Sequence, residues 1–127
     1  MDDIESAGSH VLLDYVNYKR GETGDGEWVL SVLRECVRKS GVREVHSHVE
    51  IFDGEDSPPG FAAVVLIDES HVTAHCYSER GILAIDVFTC GDSDPSEVAA
   101  MINDALVSEI PGLRRVFEKR VERFRSD

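Results

Sequence analysis

At 127 residues and 42% hydrophobic content, with no apolar run long enough to span a bilayer, the chain reads as one domain (1–127) with one modest core. Its net charge of −12 repels nucleic-acid phosphates and suits a cationic small-molecule ligand instead. Cys36, Cys76 and Cys90 are an odd set without CxxC spacing, which points away from a disulfide framework or a zinc ribbon; the acidic start Met1-Asp2-Asp3 is unlike a signal peptide, so no membrane and a cytoplasmic location are expected.

In chain order, "SHVLLDYVNY" (Ser9 to Tyr18) is rich in strand-forming residues and predicts a first strand, followed by the loop "RGETGDG". "EWVLSVLRECVRKSG" repeats Trp28, Val29, Val32, Leu33, Cys36 and Val37 at helical spacing, has Arg38 and Lys39 in its last turn and stops at Gly41. Strands are expected at Val42 to Phe52, Phe61 to Ile67, His71 to Tyr77 and Ile82 to Cys90; the links "DES" and "SERG" are short enough for antiparallel hairpins. "DSDPSEVAAMINDALVSEI" predicts a second helix with an aspartate or serine cap and Pro95 in its first turn. The closing "GLRRVFEKRVERF" fits strand or helix equally. The sum is an α+β two-layer sandwich, an antiparallel sheet with two helices on one face. Its strands are apolar at most positions, so the other face calls for a partner and a homodimer is expected.

Three sets of polar residues are candidates for chemistry. His46 and His48 share a strand face and could hold a metal, but no third ligand is identified by spacing, so no metal is assigned. Ser70, His71, His75 and Cys90 flank a strand turn, where Ser70 is expected to sit exposed on strained backbone. On spacing alone they read equally as a turn serine, a half-exposed histidine face and a small buried cysteine, and no G-x-S-x-G elbow is present. The loop carboxylates Asp53, Glu55 and Asp56 either remain solvated or select a positive ligand.

The run Asp68-Glu69-Ser70-His71, with His75 five residues after the serine, then Glu79-Arg80-Gly81 and Asp86-Val87-Phe88-Thr89-Cys90-Gly91, resembles the bacterial and archaeal S-adenosylmethionine decarboxylase proenzymes. "GSHVLLDY" is similar to that family's opening strand. The resemblance implies self-cleavage between Glu69 and Ser70, giving a β chain of 1–69 and an α chain of 70–127. Ser70 would attack the Glu69 carbonyl to form an ester, and β-elimination would leave a pyruvoyl group at the new end. That group would form a Schiff base with a substrate amine and accept electrons as carbon dioxide leaves, without pyridoxal phosphate or metal. The resemblance further implies that His75 moves a proton in processing, that Cys90 is the general acid of decarboxylation, that Glu79 holds ribose hydroxyls, and that Phe52 stacks on adenine. It implies an active site shared across a homodimer of αβ units, feeding spermidine synthesis.

Departures from the family pattern cluster around the substrate. Ala62, eight residues before the serine, stands where the family usually carries a hydroxyl, and the connection "DGEDSPP" between Phe52 and Gly60 is longer than usual and holds three carboxylates. Two alternatives follow. One is the same pyruvoyl scaffold acting on L-ornithine or L-arginine, with Asp53, Glu55 and Asp56 pairing with the side-chain cation. The other is an unprocessed homologue with a binding or regulatory role.

Overall fold

Period-two alternation turns the hydrophobic strands into a sheet with two unlike faces, and the helical spacing of the intervening segments covers one of them. The computed structural model describes residues 8–20, 23–90 and 94–124. Its elements are β1 (Gly8–Val16), α1 (Asp25–Ser40), β2 (Glu44–Phe52), β3 (Gly60–Ile67), β4 (Ser70–Tyr77), β5 (Ile82–Cys90), α2 (Pro95–Glu109) and β6 (Arg114–Arg123). All strand pairs are antiparallel, in the order β2-β3-β4-β5-β1-β6. The expected α+β sandwich is therefore present, with β1 inserted between β5 and β6. Among the described residues no helix is long and apolar enough to cross a membrane.

The core lies between the sheet and the helices. Val11, Leu13 and Tyr15 of β1, Val65 and Ile67 of β3, Val72 and Ala74 of β4, and Leu83, Ile85 and Val87 of β5 meet Val29, Leu33 and Val37 of α1 and Val98, Ile102 and Leu106 of α2. Alternation therefore sends the odd-numbered residues of β1, β3 and β5, and the even-numbered residues of β4, under the helices. Tyr15 Oη donates to Asn103 Oδ1 at 2.7 Å, which pins α2 to β1; burial pushes this phenol up to about 12. α1 ends at Gly41 in the left-handed conformation, whose N–H donates to the Arg38 carbonyl. α2 starts at Asp94, whose carboxylate accepts from the Ser96 N–H.

Several expected boundaries shift. β1 stops at Val16 because Asn17 turns to φ 63, and Tyr18 instead donates its N–H to the Gly81 carbonyl. β2 begins at Glu44, two residues later than expected. The ambiguous tail is a strand, because pairing with β1 along Gly8 to Val16 gives its backbone a ladder that local pattern does not reveal.

β3 and β4 approach so closely at Gly60 (φ 156) that a Cβ there would collide with the Cys76 carbonyl oxygen. Gly60→Ala is expected to cost about 1–3 kcal/mol of stability, measured by urea unfolding; an unchanged midpoint would show that the strand end yields freely.

Candidate active site

The link between β3 and β4 is a two-residue turn, Asp68-Glu69, closed by the Ile67–Ser70 pair. Such turns place positive φ at their first position, and Asp68 takes it at φ 49, a conformation aspartate tolerates. Arg43, in the connection after α1, donates from Nε and Nη2 to Asp68 Oδ1 at 3.0 and 2.7 Å and tethers the turn. Ser70 is neither exposed nor the strained residue, contrary to expectation. It is the first ladder residue of β4, buried, with Oγ accepting the Cys90 N–H at 2.9 Å. Glu69 stays exposed in the turn.

Cys90 ends β5 half-buried and, by alternation, directs its side chain to the open face of the sheet. It pairs with Gly8, where a Cβ would lie within 3.0 Å of the Phe88 ring and 3.4 Å of Cys90 Sγ. The absent side chain gives the ring and the thiol their room. On the same face, register aligns His71, Phe88 and His10 in one row, and Thr73 with Asp86 in the next. Gly91 lies outside the described residues.

His75 lies on the open face at the far end of β4, exposed and paired with Ala62 on one side and Ala84 on the other. Five residues along a strand span roughly 16 Å, and an odd separation puts Ser70 and His75 on opposite faces. A single chain thus joins Ser70 to Cys90 but does not bring His75 to either. His75 instead lines a cavity of about 290 Å³ with Phe52, Ser57, Phe61, Ala62 and Tyr77. The position lacking its hydroxyl, Ala62, therefore sits beside the imidazole. Glu79 is exposed in the β4–β5 turn at the same end.

Asp53, Glu55 and Asp56 are exposed and none lines that cavity; Asp53 Oδ1 instead accepts the Glu55 N–H at 3.0 Å, a local turn. His46 and His48 do share the open face, both exposed, and His48 Nε2 lies 3.0 Å from Glu50 Oε1. Among the described residues no three His, Cys, Asp or Glu side chains converge as a metal site would need. Sequence reasoning missed His10, Asp86 and Arg123, which gather beside Phe88. Period two places His10 and Asp86 on a face, but only the insertion of β1 beside β5 makes them neighbours.

The S-adenosylmethionine decarboxylase family profile matches residues 9–117. The chain belongs to that family. It is 37% identical over 105 residues to the S-adenosylmethionine decarboxylase proenzyme of Bacillus velezensis, covering 81% of this chain and 79% of the relative. The Geobacillus proenzyme is 32% identical over 128 residues, covering 94% and 98%. The crystal structure of the Aquifex aeolicus adenosylmethionine decarboxylase superposes with a TM-score of 0.69 at 24% identity, over 97% of this chain and 95% of that one, so the fold is shared. In this member of the S-adenosylmethionine decarboxylase family, the matched region spans the Asp68-Glu69 hairpin, the Cys90 strand end and the His75 cavity.

The three thiols sit in unlike surroundings. Burial pushes Cys76 up to about 11 against an opposing Ser78 hydrogen bond, and burial likewise raises Cys36, whereas Cys90 is part-exposed. Brief iodoacetamide treatment of the native protein at neutral pH should therefore label Cys90 first, read by peptide mass mapping. Equal labelling of all three would contradict this packing.

Proposed function

We propose that this protein is a pyruvoyl-dependent S-adenosylmethionine decarboxylase that cuts itself between Glu69 and Ser70. The observation that carries the reading is the Ser70 Oγ contact with the Cys90 N–H at 2.9 Å, directly after a tethered turn. The contact supports the reading because it ties the hydroxyl of the proposed nucleophile to the backbone of Cys90, whose thiol lies on the open face. The Ser70 hydroxyl displaces its own amide nitrogen from the Glu69 carbonyl, giving an ester. Loss of the Ser70 α-proton then expels the Glu69 carboxylate and would leave dehydroalanine at the new end of the α chain, whose imine tautomer water would hydrolyse to the pyruvoyl group with release of ammonia. The residues present fit such a group: a buried β-hydroxyl residue at a strand start, its Oγ accepting the Cys90 N–H. The pyruvoyl carbonyl supplies the electron sink for carbon dioxide loss.

Cys90 is the general acid that returns a proton to the substrate carbon, and His75 moves the proton during processing. The separation of His75 from Ser70 along β4, and from Cys90 at the end of β5, is the argument for a dimer. The open face carries Leu66, Tyr77 and Phe117, each more than two-fifths exposed at 41%, 45% and 44%. A two-fold axis across the strands, with open faces in contact, sets the Cys90 end of one chain against the His75 end of its partner. The complete site is then Ser70, His71 and Cys90 from one αβ unit with Phe52, His75 and Glu79 from the other.

The cavity beside His75 favours S-adenosylmethionine as substrate. Its Phe52, Phe61 and Tyr77 lining suits an adenine, with Phe52 stacking and Glu79 available to ribose hydroxyls. The exposed loop carboxylates outside it offer no enclosed seat for a guanidinium or an ammonium. Product of this reaction is the aminopropyl donor of spermidine synthesis, made in the cytoplasm.

Intact mass spectrometry should give two fragments split at 69/70, with carbon dioxide released from S-adenosylmethionine and not from ornithine or arginine assayed in parallel. Ser70→Ala should remain one uncut, inactive chain; turnover by that variant would remove the pyruvoyl assignment. Co-expression of Cys90→Ala and His75→Ala chains, each inactive alone, should restore about a quarter of wild-type activity, as random pairing of two subunits gives one intact site per mixed dimer. No recovery in mixed dimers verified by mass would place the whole site within one chain.

A further inference from the structure

A row of rings crosses the open face next to Cys90. The centroids of His71 and Phe88 are 5.5 Å apart, those of His10 and Phe88 5.8 Å, and those of His10 and His71 6.1 Å with the rings edge-on. One row below, Thr73 Oγ1 donates to Asp86 Oδ2 at 3.3 Å, and Asp86 Oδ1 lies 3.6 Å from His10 Nε2. From β6, Arg123 Nη1 approaches His10 Nδ1 at 3.5 Å, and its guanidinium lies 5.5 Å from the Phe88 ring centroid.

These contacts select one form of His10. A guanidinium donates and never accepts, so the nitrogen facing it presents a lone pair. A ring proton on Nε2 is then directed at the Asp86 carboxylate. His10 Nε2 is buried and makes no hydrogen bond, so the carboxylate just beyond bonding distance is what orients it.

We propose that His10, held between Asp86 and Arg123, is a positioning residue for the Ser70–Cys90 half-site, acting through the rings of Phe88 and His71; this rests on the decarboxylase reading. His10 touches neither Ser70 nor Cys90. Phe88 leans over Gly8 beside Cys90 Sγ, and His71 is the residue bonded to Ser70. His71 is held below the ordinary imidazole range first by burial; the nearby Arg123 guanidinium acts in the same direction and Asp86 opposes it. The titratable and charged groups facing this row are His10 from β1, Asp86 and Cys90 from β5 and Arg123 from β6, while β3 presents Leu66 opposite His71. A neutral His71 keeps a ring lone pair, and no added positive charge, on the open face one residue after Ser70.

The sign of the pH dependence follows. Activity requires a neutral His71, so it falls as pH drops through the His71 pKa. Removing a cation lets His71 protonate at higher pH, so Arg123→Gln moves the acid limb of the kcat profile up. Removing the carboxylate disfavours the imidazolium, so Asp86→Asn moves that limb down.

The test uses the self-cut enzyme, with kcat and KM for S-adenosylmethionine measured between about pH 5.5 and 8.5, across the imidazole range. His10→Phe keeps the ring and loses both nitrogens; kcat should fall about tenfold or more while KM stays within about twofold. His10→Gln, which can still donate to Asp86, should recover most of kcat, and urea unfolding of each variant reports stability separately. A kcat loss that merely tracks lost stability, a loss that Gln does not relieve, or acid limbs unmoved in both charge variants would overturn the inference. A wild type that neither cuts itself nor releases carbon dioxide would instead sink the decarboxylase reading, and this inference with it.

Discussion

Cross-strand register between β4 and β5 sets His71 opposite Phe88, and with it brings the Ser70 hydroxyl to the Cys90 amide twenty residues further along the chain. Because side chains alternate, a slip of one residue would exchange every side chain between the buried and open faces. Val72, Ala74, Val87 and Ile85 would leave the core while His71, Thr73 and Asp86 entered it. The hydrophobic effect therefore enforces the register, and the register aligns the open-face side chains of the proposed site. The two-residue turn contributes by leaving no slack: Asp68 takes the unusual backbone angle, and Arg43 holds it from outside.

The same alternation divides the sheet's work. One face is closed by α1 and α2 and contains the large buried side chains; the other is open and carries Cys90, His71, His10, Asp86 and His75. The ionisable side chains of the proposed site are thus kept out of the core, where an unpaired charge would be costly, while the uncharged Ser70 hydroxyl is buried. Half-sites at opposite ends of one strand, on a face that also bears Leu66, Tyr77 and Phe117, make a facing second copy the physical completion of the proposed site.

The charge pattern has a local use as well. In an acidic chain, β6 concentrates arginines, and Arg120 binds Asp94 and Ser96 at 2.8 Å each, Glu122 at 2.8 Å and Ser9 at 3.2 Å. The Ser96 N–H and Arg120 hold the Asp94 carboxyl below its ordinary range. Single surface ion pairs contribute little. Here a network joins β6, β1 and the cap of α2.

Periods of two and 3.6 are local properties, so the helices and the strands from Phe61 to Cys90 were legible in the sequence, and the Glu69-Ser70-His71 run with Cys90 and Gly91 carried the family resemblance without any structure. The same locality explains the misses. β6 was ambiguous because its partner, β1, lies more than a hundred residues away, as in the Ser9–Glu122 hydrogen bond. The burial of Ser70 depended on its pairing with Ile67 and Cys90, which its identity as a turn-proximal serine concealed. Only tertiary packing made neighbours of His10, Asp86 and Arg123, and only the length of β4 separated His75 from Ser70. Sequence determined which groups exist and which face each occupies, since alternation is built into the backbone; the tertiary structure decided which of them meet, since that depends on strand order and register between segments far apart in the chain.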